Sequence, residues 1–317
     1  MKKILVTILI ILFAAVAGTG LYFHLTWEKE LSPIAYFLIE KDLLACGSTT
    51  KETKCVITGD ADWLFYQESQ LSLVHSWEDN TKQIIAFNDS LKNRGIQLIV
   101  VPVPDKLLVE SDKYLPFFDE DLIPSAYRRW AEKLNKNGVI LIDALDEFKR
   151  IHDSIPVFEP YESHCTYEGR SILAKLAANK LKYATKDLSK KSYTLRDTTI
   201  KGTGNLFHLK YGIYAHYKMK EKKVVGENRK NYKGPKKAPI LVIGDSNAGE
   251  GLSRASDVGS LITKETGVET FSISKVGAAN FGPIFFKGKS NFLENRRAIV
   301  WVFDGREIYG HFRNPQF

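Results

Sequence analysis

The residue of this chain best placed for covalent chemistry is a serine between an apolar run and a glycine-rich segment. Gly244-Asp245-Ser246-Asn247 follows Ala238-Pro239-Ile240-Leu241-Val242-Ile243 directly and precedes Ala248-Gly249-Glu250-Gly251-Leu252-Ser253. The run reads as a short buried strand and the segment after it as the start of a helix. A serine on so sharp a turn has its hydroxyl held out of the sheet, beside backbone N–H groups that can stabilise an oxyanion. The same four residues all favour turns, so the tetrapeptide alone is also what an ordinary αβ connection looks like.

A serine hydroxyl is a poor nucleophile until a base takes its proton. His311 is the one histidine after Ser246; upstream stand His24, His75, His152, His164, His208 and His216. His24 lies at the edge of an N-terminal apolar run, His75 shares a helix with Trp77, and His208 and His216 flank a basic stretch. His164 sits in Glu159-Pro160-Tyr161-Glu162-Ser163-His164-Cys165-Thr166-Tyr167-Glu168-Gly169, a polar and aromatic loop with Thr166 placed to cap the next helix. Glu162 can orient the His164 ring only if that loop turns back on itself, so a catalytic and a structural histidine both stand open here. Cys165 beside His164 suggests a thiol nucleophile or a metal ligand, but neighbours in extended chain point to opposite sides. With no Cys-x-x-Cys or His-x-x-x-His spacing, no metal site and no cofactor are expected.

The elements that must position these residues alternate. Helical spacing runs from Leu71 to Arg94, Ser125 to Asn137, Ala144 to Ile151, Tyr167 to Tyr183, and from Ser246 to about Glu265. Between them lie the strand-like runs Ile96 to Val103, Val139 to Ile142, Val268 to Ile273 and Ala298 to Phe303. Strands separated by helices predict an α/β fold, a mostly parallel sheet with helices on both faces. One stretch departs from the pattern. Lys218 to Lys237 holds nine basic residues against two acidic ones and reads as a solvated hairpin or loop, or as a docking surface for an anionic polymer or a membrane.

The chain has 317 residues, 44% hydrophobic and 12% aromatic, enough for a sizeable core. Its net charge of +8 favours anionic partners, and no nucleic-acid motif accompanies it. Lys2-Lys3 precede an uncharged run from Ile4 to Phe23, long enough to span a bilayer core. The lysines predict a cytoplasmic N-terminus and an exported domain. Ala15-Val16-Ala17 resembles a signal-peptide cleavage site, but the apolar run continues past it, which favours an uncleaved transmembrane helix. The expected organisation is an anchor or signal over 1–25, an exported lead segment over 26–58 and one α/β domain over 59–317. Cys46 and Cys55 bracket a polar loop and, after export, are expected to form a disulfide that leaves Cys165 a free thiol.

Four segments in order resemble the SGNH-hydrolase-like domain of the alginate O-acetyltransferase (AlgX/AlgJ-type) group. They are Trp63-Leu64-Phe65-Tyr66; Gly95 to Pro104 with Asp105-Lys106 and Tyr114-Leu115-Pro116; Glu162 to Gly169; and Gly244-Asp245-Ser246. The resemblance implies a carboxylate–histidine pair upstream of the serine: Ser246 as nucleophile, His164 as base and Glu162 as orienting acid. Glu162 stands where Asp is usual and Cys165 where Trp is usual, which puts the local packing in question. Asn247, Gly277 and Asn280 are the candidate oxyanion or substrate contacts, with a plain loop the alternative for the last two. Arg306-Glu307 resembles a family ending of structural character. The implied activity is acetyl transfer to hydroxyls of an exported polysaccharide through an acyl-serine, fed by a multispanning membrane acyltransferase. A secreted carbohydrate esterase and a non-catalytic polysaccharide-binding assembly factor remain as alternatives.

Peptide mapping without reductant should recover Cys46 linked to Cys55 and Cys165 as a free thiol. A bridge that includes Cys165 would overturn this pairing.

Overall fold

The computed structural model describes residues 56–66, 69, 81–114, 125–276, 286 and 290–308. The run 4–23, Cys46, Cys55, His24, His75, Gly277, Asn280, His311 and the first part of the expected Leu71–Arg94 helix lie outside them. No described helix is long and apolar enough to cross a membrane.

Two short strands, β1 (Val56–Thr58) and β2 (Leu64–Tyr66), pair antiparallel at the edge of the domain. Next come β3 (Gln97–Val103) and β4 (Ile140–Leu141), then a long antiparallel hairpin of β5 (Thr194–Gly202) and β6 (Tyr217–Val225). β7 (Ile240–Gly244), β8 (Thr270–Ser274) and β9 (Ala298–Asp304) complete the strands. The central sheet has the order β4-β3-β9-β7-β8, and every neighbouring pair is parallel. Ala298 to Phe303 are all buried, so β9 is covered on both faces, as a run of Ala-Ile-Val-Trp-Val-Phe demands. Helices Thr81–Lys92, Ser125–Lys136, Leu145–Ile151 and Tyr167–Leu181 fall on the segments with helical spacing.

Two features differ from the sequence reading. The helix expected from Ser246 to about Glu265 is broken into Ser246–Gly249, a 3₁₀ turn Leu252–Arg254 and Val258–Thr266. Gly251 (φ 82°) and Ala255 (φ 59°) are left-handed, which no helix continues through, and Asp257 restarts the helix by accepting from Gly259 and Ser260 N–H. The second difference is β5, whose polar sequence gave no apolar alternation, and the helix Asn205–Tyr211, whose seven residues are too short a run to show a helical period.

One buried ion cluster ties the loops above this sheet together. Arg170, 1% exposed, donates to Cys165 O at 2.9 Å, to Ser256 O at 3.0 Å and to Glu221 Oε1 at 2.6 Å. Glu221, from β6, also accepts from Arg254 and from Ser256 Oγ, and Arg254 pairs in turn with Glu250. Arg170→Met takes from buried Glu221 one of its two arginine partners, and Glu221→Gln leaves the buried Arg170 guanidinium with carbonyls alone. In chemical unfolding either variant should lose roughly 3–5 kcal/mol, whereas exposed Lys175→Met should leave the midpoint nearly unchanged.

Candidate active site

Three adjacent strands of the sheet end on aspartates: Asp105 just after β3, Asp304 at the end of β9 and Asp245 just after β7. This edge is where an open parallel sheet leaves a crevice for ligands. Asp245 Oδ2 accepts from Asp304 N–H at 2.7 Å, and its Oδ1 accepts from Asn247 N–H at 2.8 Å. The turn is also closed from below, because a Cβ on Gly244 would collide with the Val302 carbonyl. Ser246 therefore stands, half-buried, on a turn fixed to two strands. Burial and the neighbouring charge of Asp304 push Asp245 and Asp105 each up to about 6.

The helix that begins at Ser246 has only four residues, and the Asn247 N–H is taken by the Asp245 carboxylate. The expected row of free donors at a helix start is therefore reduced by one. Asn247 still faces the site through its side chain, which is buried and has Oδ1 unpartnered among the described residues. Gly277 and Asn280 lie outside the described residues.

The loop before helix Tyr167–Leu181 does turn back. His164 Nδ1 lies 2.9 Å from Glu162 Oε1. Glu162 is held by the N–H groups of Ser163 (3.1 Å) and Asn205 (3.3 Å). Asn205 adds a two-point clasp, its Oδ1 accepting from Ser163 N–H at 2.9 Å and its Nδ2 donating to Ser163 Oγ at 2.6 Å. Thr166 caps the helix by accepting from Gly169 N–H, so the loop is fixed at both ends. With the Nδ1 proton directed at Glu162, the lone pair of Nε2 is left for other work. Burial opposes a charge on His164, but the hydrogen bond and charge of Glu162, with Glu250 and Asp304 behind them, outweigh it and hold the imidazole above its usual value. Burial likewise opposes the Glu162 carboxylate, and His164 outweighs it, so Glu162 sits below the usual range.

The serine turn and the histidine loop meet at one small cavity of about 10 Å³, room for about one water. Ser163, next to His164, and Asn247, next to Ser246, both line it, along with Tyr66, Asp105, Lys106 and Asp304. The charge of His164 also acts on Asp245 and Glu250, which flank the four-residue helix that starts at Ser246. Underneath, the buried Lys106 ammonium donates to the carbonyls of Leu64 (2.9 Å), Glu159 (2.7 Å), Pro160 (2.9 Å) and Glu162 (3.1 Å). It also lies 4.8 Å from the Trp63 ring. Burial pulls Lys106 down to about 7 against the pull of Glu110, Glu162 and Glu159. Four carbonyls suit only the ammonium, since a neutral amine would aim its lone pair at one of them.

A family model described as "SGNH hydrolase-like domain, acetyltransferase AlgX" matches residues 56–253. The chain belongs to this AlgX family. The alginate biosynthesis protein AlgX of Pseudomonas fluorescens is 22% identical over 270 residues, 78% of this chain and 55% of its own length. The chain thus spans about half the length of that relative. Among solved structures, the O-acetyltransferase domain of Pseudomonas putida AlgJ superposes with a TM-score of 0.66 at 15% identity, covering 83% of this chain and 95% of that one. Pseudomonas aeruginosa AlgX gives 0.64 at 18% identity over 81% of this chain and 64% of that one. These likenesses establish the fold of this AlgX-family domain.

Within it, the other described histidines have different surroundings. His152 pairs with buried Glu110 at 3.0 Å, with Asp112 close by and itself paired with Lys113. His208 stacks on Tyr214 at 4.0 Å. Cys165 is a free, buried thiol, and burial pushes it up to about 12, which makes it inert as a nucleophile. Arg306 pairs with Asp304 and covers the Tyr66 ring at 4.1 Å. Lys106, Arg170 and Asn205 were not legible as site residues. Of the three, Lys106 alone carried a signal, as part of the Pro-x-Pro-Asp-Lys segment.

Histidine NMR titration should place His164 above the ordinary value of about 6.5, and Glu162→Gln should bring it down. Because the folded value is raised, this contact adds stability below the unfolded pKa and loses it as pH rises through the folded one. A His164 titration unmoved by Glu162→Gln would separate the two residues.

Proposed function

We propose that this domain is an O-acetyltransferase that modifies hydroxyls of an exported polysaccharide through an acetyl-Ser246 intermediate. The observation that carries the reading is the Glu162–His164 hydrogen bond, made in the loop whose Ser163 shares one small cavity with Asn247 of the serine turn. In the first half-reaction His164 Nε2 takes the Ser246 hydroxyl proton as Oγ bonds to the acetyl carbonyl carbon. The bond from that carbon to the donor breaks, and the proton passes to the leaving group. In the second, the imidazole takes the proton of a sugar hydroxyl, the sugar oxygen bonds to the acetyl carbon, the bond to Oγ breaks and Oγ regains a proton. Glu162 holds the tautomer and stabilises the imidazolium formed in each half.

An oxyanion in these steps would draw on the Ser246 N–H and the Asn247 side chain, with Gly277 and Asn280 as further candidates. The name of the P. putida AlgJ domain, O-acetyltransferase, supports acyl transfer, and that of the P. fluorescens relative, alginate biosynthesis protein, supports a polysaccharide acceptor. An anchor through residues 4–23 and an acetyl donor delivered by a multispanning membrane acyltransferase complete the reading. Together they would place the domain on the outer side of the inner membrane, with Cys46–Cys55 oxidised.

Incubation with an activated acetyl ester, followed by peptide mass spectrometry, should find acetate on Ser246. Ser246→Ala should abolish the adduct and leave only a residual rate. His164→Ala should lose nearly as much, and the double variant little more, because the pair acts as one unit. Turnover to free acetate that no sugar acceptor diverts would favour a carbohydrate esterase. An inert wild type that still binds polymer would leave the non-catalytic assembly factor. Near-wild-type turnover by Ser246→Ala would sink the nucleophile.

A further inference from the structure

The most strongly charged face that this chemistry leaves unused is the outward side of the β5–β6 hairpin. The register sets Lys201 opposite Lys218, Thr199 opposite Lys220 and Asp197 opposite Lys222. Residues directly opposite share a face of an antiparallel pair, so four lysines and one aspartate stand together there. Lys201, Lys218, Lys220 and Lys222 are all exposed, whereas Glu221 between them points inward and is buried. Asp197 lies 3.8 Å from Lys222, but among the described residues Lys201, Lys218 and Lys220 are in no ion pair. Like charges directly in register destabilise a hairpin unless a counter-anion offsets them.

The connection between the two strands, residues 203–216, emerges at the Lys201–Lys218 end. It exposes Leu209 (44%), Tyr211 (52%), Ile213 (63%) and Tyr214 (52%). The flat stack of His208 on Tyr214 holds one of these rings in place. Aromatic rings and aliphatic side chains next to lysines make the composition of a lipid interface. There rings settle at head-group level, aliphatic groups reach the acyl boundary and lysines meet phosphate. A glycan would use the rings but has little use for an exposed isoleucine and leucine.

We propose that this end of the hairpin docks on the surface of an anionic phospholipid bilayer. The proposal rests on the anchored reading only for proximity: the apolar run 4–23 would keep the domain tethered at a bilayer through residues 24–55. Asn205, at the start of the same connection, holds Glu162, and Leu206 lines the small cavity shared by Ser163 and Asn247. Docking therefore sets the cavity close to the lipid surface, where a membrane-borne acetyl donor would deliver.

The test uses full-length Ser246→Ala protein, so that its outcome does not depend on acyl transfer. The protein is reconstituted in vesicles of phosphatidylcholine, alone or mixed with phosphatidylglycerol, and footprinted with hydroxyl radicals. Tyr211 and Tyr214 should be oxidised several-fold more slowly on the anionic vesicles, while Tyr183, 77% exposed at the end of helix Tyr167–Leu181, should not change. K201Q/K218Q/K220Q should remove the protection. Equal oxidation on both vesicles, or protection that survives the triple substitution, overturns the docking alone. Failure of the chain to associate with either vesicle overturns the anchored reading with it. Protection of Tyr211 and Tyr214 by a soluble anionic polysaccharide, with no effect of lipid, assigns the face to polymer and overturns the proposal.

Discussion

The guanidinium of Arg170 is the contact on which the upper part of this domain depends. It belongs to the helix that follows the histidine loop, and it bonds to the carbonyl beside His164, to the carbonyl of Ser256 beyond the serine turn, and to Glu221 of the hairpin. Three segments far apart in sequence thus share one planar, rigid fork, which a lysine could not replace. The parallel sheet brings the loops to one edge; this fork fixes their spacing. Lys106 does the same on the other side, holding the Glu159–Glu162 backbone against β2.

Both cations are buried, and each is surrounded by partners that satisfy it. The cost of taking them out of water is met in one case by a carboxylate and two carbonyls and in the other by four carbonyls. The edge where the strands end collects the opposite charge: Asp105, Asp245 and Asp304 crowd it, and burial, with the charge of Asp304 added, raises the first two. Much of Asp245's carboxylate is spent on backbone N–H groups, so its work is to shape the turn, while Glu162 is the carboxylate bonded to an imidazole.

The parts of this arrangement that were legible in the sequence share a physical cause. β3, β7 and β9 are buried on both faces and so read as unbroken apolar runs. Gly95 and Gly138 ended helices where positive φ was needed. The Ser246 turn and the His164 loop stood out because polar residues with chemistry sat where such runs stopped. The rest was set by contacts at long range. Asn205 reaches Glu162 across 43 residues, and Arg170 reaches Ser256 across 86. Neither leaves a local period. The hairpin was half seen, because the lysines of β6 marked a surface while β5, polar and mostly exposed, resembles a loop until its partner is known. The break at Gly251 was hidden because Ala255, Val258 and Ile262, three and four residues apart, keep a helical apolar spacing through the residues that follow it.

Alternation along β6 has a consequence for how this fold can vary. Glu221 faces the buried arginine and its neighbours Lys220 and Lys222 face solvent, so one strand serves two opposed purposes with a period of two. Inserting or deleting one residue between Tyr217 and Glu221 would turn a lysine into the Arg170 site and leave the carboxylate outside. Related chains that keep the arginine fork should therefore differ by even numbers of residues in this stretch of β6, or carry a bulge that restores the phase.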